Sequence, residues 1–359
     1  MQKPNIIDLY SDYLIVNQGQ ATATGLSALL DNEVKHDTIT RWLSSRDYNS
    51  KDLWQQAKPL VKQIATSDSV FIVDDTVEAK PHTDESDLIC WHYDHCLGRS
   101  IKGINQLTSL YHSNNVSVPV GYSLITKPNI VTNPKTCKKR RVSTVSKHTL
   151  FQRLITQAIC NQLTFKYILA DSWFCSTENI NFIAQRNLSF IFPIKSNRKV
   201  YLSESDKALG RHQPTELLAL EENKSLVVWL EGVDFPLSLT KQVFKDGDPT
   251  QAVLYLVSND LAADAASIKA YYAKRWKIEL FHKSIKSNLG YPNSPTHTVR
   301  TQSNHLFLSM VAFIKLEALN IPLKSNHFAL KKRLGLNALK LAWRDLQTLK
   351  ENNLSIKYA

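Results

Sequence analysis

"SVFIVDDT", residues 69–76, is the stretch whose reading decides the fold. Four apolar residues, Val70 to Val73, run straight into two aspartates and a threonine. A short run that is apolar at every position suits a central strand buried on both faces. If the strand continues through Asp74 and Asp75, their carboxylates point to opposite faces, and only one of them can face a given site. The design recurs in "FKYILADSWF", residues 165–174, where Tyr167 to Ala170 end in Asp171. In open α/β sheets, sites form beyond the carboxyl ends of strands, so two neighbouring strands ending in acids would bring those acids together.

Between these strands lies "INQLTSLYHSNNVSVPVGYSLIT", residues 104–126, two alternating runs around Ser113-Asn114-Asn115 that read as a hairpin. A basic loop follows, "NPKTCKKRRVSTVSKH", residues 133–148, with Lys138, Lys139, Arg140 and Arg141 as candidate DNA contacts. A helix is expected from about Lys147 to Gln162 and another from about Ser176 to Arg186, then an apolar strand, "LSFIFPI". Residues from about Lys195 to Asp260 read as a small, mostly antiparallel sheet containing Trp229. Upstream, "ATATGLSALLDNEVKHDTITRWLSS", residues 21–45, places two short helices around a polar turn and resembles a helix-turn-helix. Its second helix carries Thr38, Thr40, Arg41 and Trp42, which could contact DNA. The expected regions are 1–68 (helical, DNA-binding), 69–194, 195–262 (β-rich), 263–299 and a helical 300–359.

A further helix is expected in "YYAKRWKIELFHKSIKSNLG", residues 271–290. At about 100° per residue, Tyr272, Arg275, Glu279 and Lys286 share one strip roughly 60° wide. Ile278, Phe281 and Ile285 fall opposite and form a core-facing stripe. The helix would deliver Glu279 to Asp171 and to Asp74 or Asp75. Three carboxylates without cysteine or imidazole favour a hard cation, Mg²⁺ or Mn²⁺, over zinc. Two such ions could activate a water or a 3′-hydroxyl and stabilise the leaving oxygen of a phosphodiester. Arg275 and Lys286 would neutralise adjacent phosphates, and a Tyr272 hydroxyl can donate to one.

Composition agrees. The 359-residue chain has a net charge of +12 and a pI of about 9.3, an excess that favours a polyanionic partner. Five cysteines without a CxxC read as reduced thiols of a cytosolic protein. "CWHYDHC", residues 90–96, has poor spacing for zinc. No apolar leader opens the chain, and "HLFLSMVAFIKLEALNI" is interrupted by Ser309, Lys315 and Glu317, so no membrane association is expected. The expected location is the cytoplasm of a bacterial-type cell, in association with the nucleoid.

The pattern Tyr272-x2-Arg275-x3-Glu279-x6-Lys286, with its Arg-Trp and Phe-His pairs, resembles the signature of the insertion-sequence family four (IS-four) DDE transposases. "DDT" resembles that family's first aspartate segment, where an Asp-Thr pair favours Asp75 over Asp74, and "ILADSWF" resembles the second. The resemblance covers about Val70 to Leu289. It implies an α/β fold: an RNase H-like catalytic core with a β-rich insertion between the second Asp and the Glu, plus helical N-terminal and C-terminal regions. It implies Asp75, Asp171 and Glu279 as ligands of two Mg²⁺ or Mn²⁺ ions. It also implies double-stranded DNA as partner (transposon ends and target DNA), a homodimer in the active complex, and cut-and-paste transposition. The alternatives are an inactive, end-binding transposase relic and a sequence-independent nuclease.

Overall fold

The computed structural model describes residues 5–94, 97–132, 134–244, 252–296 and 298–357. In chain order the first elements are helices α1 (Ile6–Val16), α2 (Ala23–Leu29), α3 (His36–Ser45) and α4 (Ser50–Ile64). Strands β1 (Val70–Ala79), β2 (Cys90–Asp94), β3 (Arg99–Ser113), β4 (Val116–Leu124), β5 (Asn129–Thr132) and β6 (Lys139–Val142) follow. Then come α5 (Lys147–Cys160), β7 (Tyr167–Leu169), α6 (Thr177–Ala184), β8 (Phe190–Ile194), β9 (Lys199–Val200), α7 (Glu204–Ala208) and β10 (Gln213–Pro214). Strands β11 (Ser225–Val228), β12 (Leu237–Phe244) and β13 (Ala252–Ser258) precede helices α8 (Ala265–Ala273), α9 (Trp276–Ser287), α10 (Val299–Leu323) and α11 (His327–Lys357).

The chain forms two compact units, Asn49–Phe281 on the one hand and Met1–Tyr48 with His282–Ala359 on the other. Helix α4, which the sequence groups with residues 1–68, therefore belongs with the sheet. Ser50, at the start of α4, donates its hydroxyl to Tyr122 O at 2.6 Å and accepts from Tyr122 N–H at 2.8 Å.

Unit 49–281 is a mixed α/β structure on one nine-stranded sheet, ordered β11-β12-β13-β8-β7-β1-β3-β2, with β4 also on β3. Strands β1, β7 and β8 are parallel neighbours, while β3 and β4 pair antiparallel. Val70 to Val73 are fully buried, as a central strand covered on both faces requires. The hairpin closes at Asn114 and Asn115, both with positive φ (49° and 63°), the conformation of a two-residue turn that follows the strand twist. The strands of 195–260 divide. β9 and β10 form a separate pair, whereas β11, β12 and β13 extend the main sheet because β13 pairs with β8.

The helix expected across 271–290 is two helices. Between α8 and α9, the N–H groups of Lys274, Arg275, Lys277 and Ile278 bond to carbonyls three residues back, a tightened turn that breaks the regular 100° progression. Tyr272 thus ends one helix, Arg275 sits in the joint, and Glu279 opens the next, so the single strip drawn from an ideal helix is redrawn by the turn. The core stripe holds: Ile278, Phe281 and Ile285 are buried.

In the other unit, α10 is the hub, contacted by α1, α3 and α11. Asn304 on α10 donates to Leu43 O and Arg46 O and accepts from Tyr48 N–H, fastening the end of α3. Trp42 stacks on Tyr48, and Tyr48 on Phe307. Lys331 donates to Ile15 O (2.6 Å) and Asn17 O (2.8 Å), satisfying carbonyls at the C-terminal end of α1. Helix α10 is long and apolar enough by length and composition to cross a membrane, yet most of it is buried inside the unit. Its polar residues serve that interior, as His305 does in contacting Tyr10 Oη at 3.2 Å.

Candidate active site

Strand β1 carries regular pairing through its aspartates: Asp74 faces Thr108 and Asp75 faces Leu107 across the β1–β3 ladder. The two side chains consequently leave opposite faces of the sheet, and the structure gives them different neighbours. Asp74 is buried; one of its oxygens accepts from Arg275 Nη1 at 3.2 Å, and the other accepts from the Asp75 N–H at 2.9 Å. The same Nη1 lies 3.2 Å from Glu279 Oε1. Carboxylate oxygens of Asp74 and Glu279 come within 4.8 Å of each other, close enough to share one cation. Asp75 instead receives Lys147 Nζ at 2.6 Å from the start of α5, and it lines a cavity of about 600 Å³ together with Asp171.

Asp171 follows β7. The last β1–β7 pair is Ile72 with Leu169, so Asp74 and Asp171 each follow it by two residues, and the charge of Asp171 reaches Asp74. The Asp171 carboxylate accepts from Trp173 N–H at 3.0 Å and caps a single 3₁₀ turn, Ser172–Phe174. That cap fixes its direction.

Electrostatics register the crowding. Burial pushes the Asp74 carboxyl well up; Arg275 opposes this, while the charges of Asp171, Glu279 and Asp75 add to it. Asp171 is also raised, first by burial and then by Asp75. Burial raises the Tyr272 phenol, which hydrogen-bonds Arg275. Two carboxyl groups, Asp74 and Glu279, thus share one guanidinium whose charge also reaches Asp171, and their oxygens are donors of the kind a hard cation takes. On the Asp74 face, the side chains of Thr108 and Gln106 are buried and have no hydrogen-bond partner among the described residues. They are polar groups beneath the carboxylates that a hydrated ion or a substrate could satisfy.

The other expected contacts are dispersed. Lys138, Lys139 and Arg140 are exposed on and beside β6, whereas Arg141 is held by Glu85 at 3.0 Å. Arg41 is exposed on α3, together with Thr38 and Thr40. Lys286 is half-buried in the last turn of α9. Trp229 pairs its backbone with Tyr201 and is half-buried. Of the weak zinc motif, His95 and Cys96 lie outside the described residues; Cys90 Sγ and His92 Nε2 are 3.3 Å apart and buried. Sequence reasoning missed Lys147 as the partner of Asp75, and it missed Trp173 as a wall of the cavity that holds Asp171. Lys147 gave no local sign, because its role depends on a strand far away in sequence. Trp173 did give one, an indole two residues after a strand-end acid.

A mixed α/β sheet with helices packed on it fits the fold of a DDE nuclease. The chain belongs to the DDE superfamily endonuclease family, whose model matches residues 5–218. A second family model, "Archaeal putative transposase ISC1217", matches residues 125–326. No curated protein matches the chain significantly.

Proposed function

We propose that this chain is an active transposase of the IS-four type, which binds the inverted-repeat ends of an insertion sequence and catalyses metal-dependent cleavage and strand transfer. The observation that carries this reading is the approach of Asp74 to Glu279 over Arg275, within reach of the charge of Asp171, in a chain of the DDE family. The strand order β4-β3-β1-β7-β8, with β1, β7 and β8 parallel, supports an RNase H-like core. Strands β9 to β13, between Asp171 and Glu279, support the β-rich insertion.

Asp74, Asp171 and Glu279 would hold divalent ions, Mg²⁺ or Mn²⁺. Bound there, such ions supply Lewis-acid stabilisation of the phosphodiester oxygens and a deprotonated nucleophile. Arg275 orients two of the carboxylates, and Tyr272 beside it would donate to a phosphate. Lys286, two turns beyond Glu279 along α9, and the basic residues Lys138, Lys139, Arg140, Arg141 and Arg41 contribute phosphate contacts. Asp75 in place of Asp74 is the second reading, favoured by the cavity that Asp75 shares with Asp171 and by the "DDT" resemblance. The active complex is read as a dimer on paired ends.

The test uses a supercoiled plasmid carrying the DNA that flanks the gene and the same plasmid without it. With Mg²⁺ or Mn²⁺, a transposase cuts only at the ends. A sequence-independent nuclease cuts both plasmids, and a relic shifts end DNA without cutting it. Asp171→Asn and Glu279→Gln should abolish cleavage while retaining end binding, since phosphate contacts dominate affinity. Asp74→Asn and Asp75→Asn decide between the two readings: the inactive one names the ligand. Normal cleavage by Glu279→Gln would overturn the assignment.

A further inference from the structure

We propose that unit 49–281 holds an unpaired DNA strand in a trough that runs past Asp171, with bases stacked on Trp173 to one side and on Tyr93 and Trp91 to the other. This rests on the reading of Asp171 as part of a DNA-cutting site. Three cavities carry the argument. The one lined by Asp171, Asp75 and Lys147 shares Trp173 with a second, about 690 Å³, lined by Lys195, Arg198 and Lys199. It shares Tyr93 and Lys127 with a third, about 1170 Å³, lined by Trp91, Lys139 and Arg140. The carboxylate cavity thus adjoins two cavities with cationic linings, and an exposed aromatic is shared at each junction.

The aromatics are placed for stacking. Trp173, Tyr93 and Trp91 are 52%, 54% and 56% exposed, unusual for rings of their size. The Trp173 indole lies parallel to His148, with an interplanar angle of 6°, so its plane is fixed while much of it stays open. Tyr93 and Trp91 alternate on β2 and share one face of the strand. Two residues of strand rise roughly 6.8 Å, about the gap that one base fills between two rings.

Charge fits the backbone of the same strand. Lys195, Lys199, Lys139 and Arg140 are exposed and have no ion-pair partner among the described residues. Of the acids outside the carboxylate cavity, Glu85 is engaged by Arg141, and Glu231 lines the Lys195 cavity. An intact duplex buries its base faces and offers only phosphates and groove edges to such rings. A separated strand offers both phosphates and π-faces, and each base stacked on an aromatic is worth a marked gain in affinity.

The test needs neither metal nor cleavage. Full-length protein is titrated with a fluorescein-labelled twelve-nucleotide oligothymidylate and with a hairpin duplex of equal phosphate count at one salt concentration. The single strand should bind more tightly. Trp173→Ala and Trp91→Ala should each weaken its binding roughly 5- to 100-fold, leave duplex binding unchanged, and be largely rescued by Phe. Wild-type affinity of both Ala variants for the single strand, or an equal loss on the duplex, overturns the proposal. Should the wild type fail to cut its own ends while the aromatic effects stand, the catalytic reading falls and the trough survives. Specific cutting at the ends without aromatic effects removes the trough and leaves the catalytic reading standing.

Discussion

Asp74 and Glu279 share one guanidinium nitrogen: Arg275 Nη1 lies 3.2 Å from a carboxylate oxygen of each. Asp74 comes from the middle of central strand β1 and Glu279 from the helix after the α8–α9 joint, so the bridge ties that helix to the strand. Arg275 also offsets the negative charge that Asp74 and Glu279 bring together.

Arg275→Ala should therefore be costly. It leaves the buried Asp74 carboxyl near those of Asp171, Glu279 and Asp75 without its counter-charge. The expected loss is about 3 kcal/mol, the lower end for a broken buried pair, because Asp74 can escape by taking up a proton. For a unit of this size that corresponds to a fall in Tm of roughly 6–12 °C. Thermal unfolding followed by circular dichroism reads it directly; an unchanged Tm would mean that the bridge does not stabilise the fold.

Asp74→Asn should change the pH dependence of stability. The Asp74 carboxyl titrates well above its ordinary value when folded. Between the unfolded pKa, about 3.9, and the raised folded one, the folded state binds more protons than the unfolded state. Stability must then fall as pH rises through that window. Asn carries no such charge, so the variant should gain stability relative to wild type as pH rises towards neutrality. Parallel curves for the two proteins from pH 4 to 8 would contradict this. Mg²⁺ should stabilise the wild type more at the upper end, where its carboxylates are free of protons.

Lys286→Ala tests the phosphate role. Removing one phosphate contact should reduce the magnitude of the log affinity against log salt slope by about one unit. If Lys286 serves only the helix, Tm drops slightly and the slope stays the same. Affinity for an end-containing duplex, measured across a salt series, separates the two.

Arg41→Ala with Thr38→Ala tests recognition by α3. Both side chains are exposed, whereas Ile39 and Leu43 of the same helix are buried. Discrimination between end DNA and random DNA should fall while Tm holds. A deletion of residues 1–68 would be a poor test, because it removes α1, which Lys331 caps, and α4, which packs on β4. Unchanged discrimination in a gel-shift comparison would mark α3 as a structural helix only.

Much of this protein was written locally. The run Val70 to Val73 is apolar at every position, which suits a doubly covered strand, and Asn114-Asn115 admits the left-handed turn that closes the hairpin. Signals of this kind depend on neighbours in sequence. So do the core stripe Ile278-Phe281-Ile285 and Asp171 just after β7, whereas β1 runs on past Asp74 and Asp75 to Ala79, where the sequence reads a strand that ends in them. Tertiary structure decided what periodicity alone could not. The break between α8 and α9 arises where backbone bonds tighten at Lys274 and Arg275, and an ideal 100° rotation has no means of anticipating it. The division at Tyr48, which hands α4 to the sheet and groups α1 to α3 with α10 and α11, depends on packing between segments far apart in the chain. So does the fate of the two adjacent aspartates. Strand alternation guarantees that Asp74 and Asp75 part company; only the placement of Arg275 and Lys147 on opposite faces determines which one meets Glu279 and which one meets a lysine.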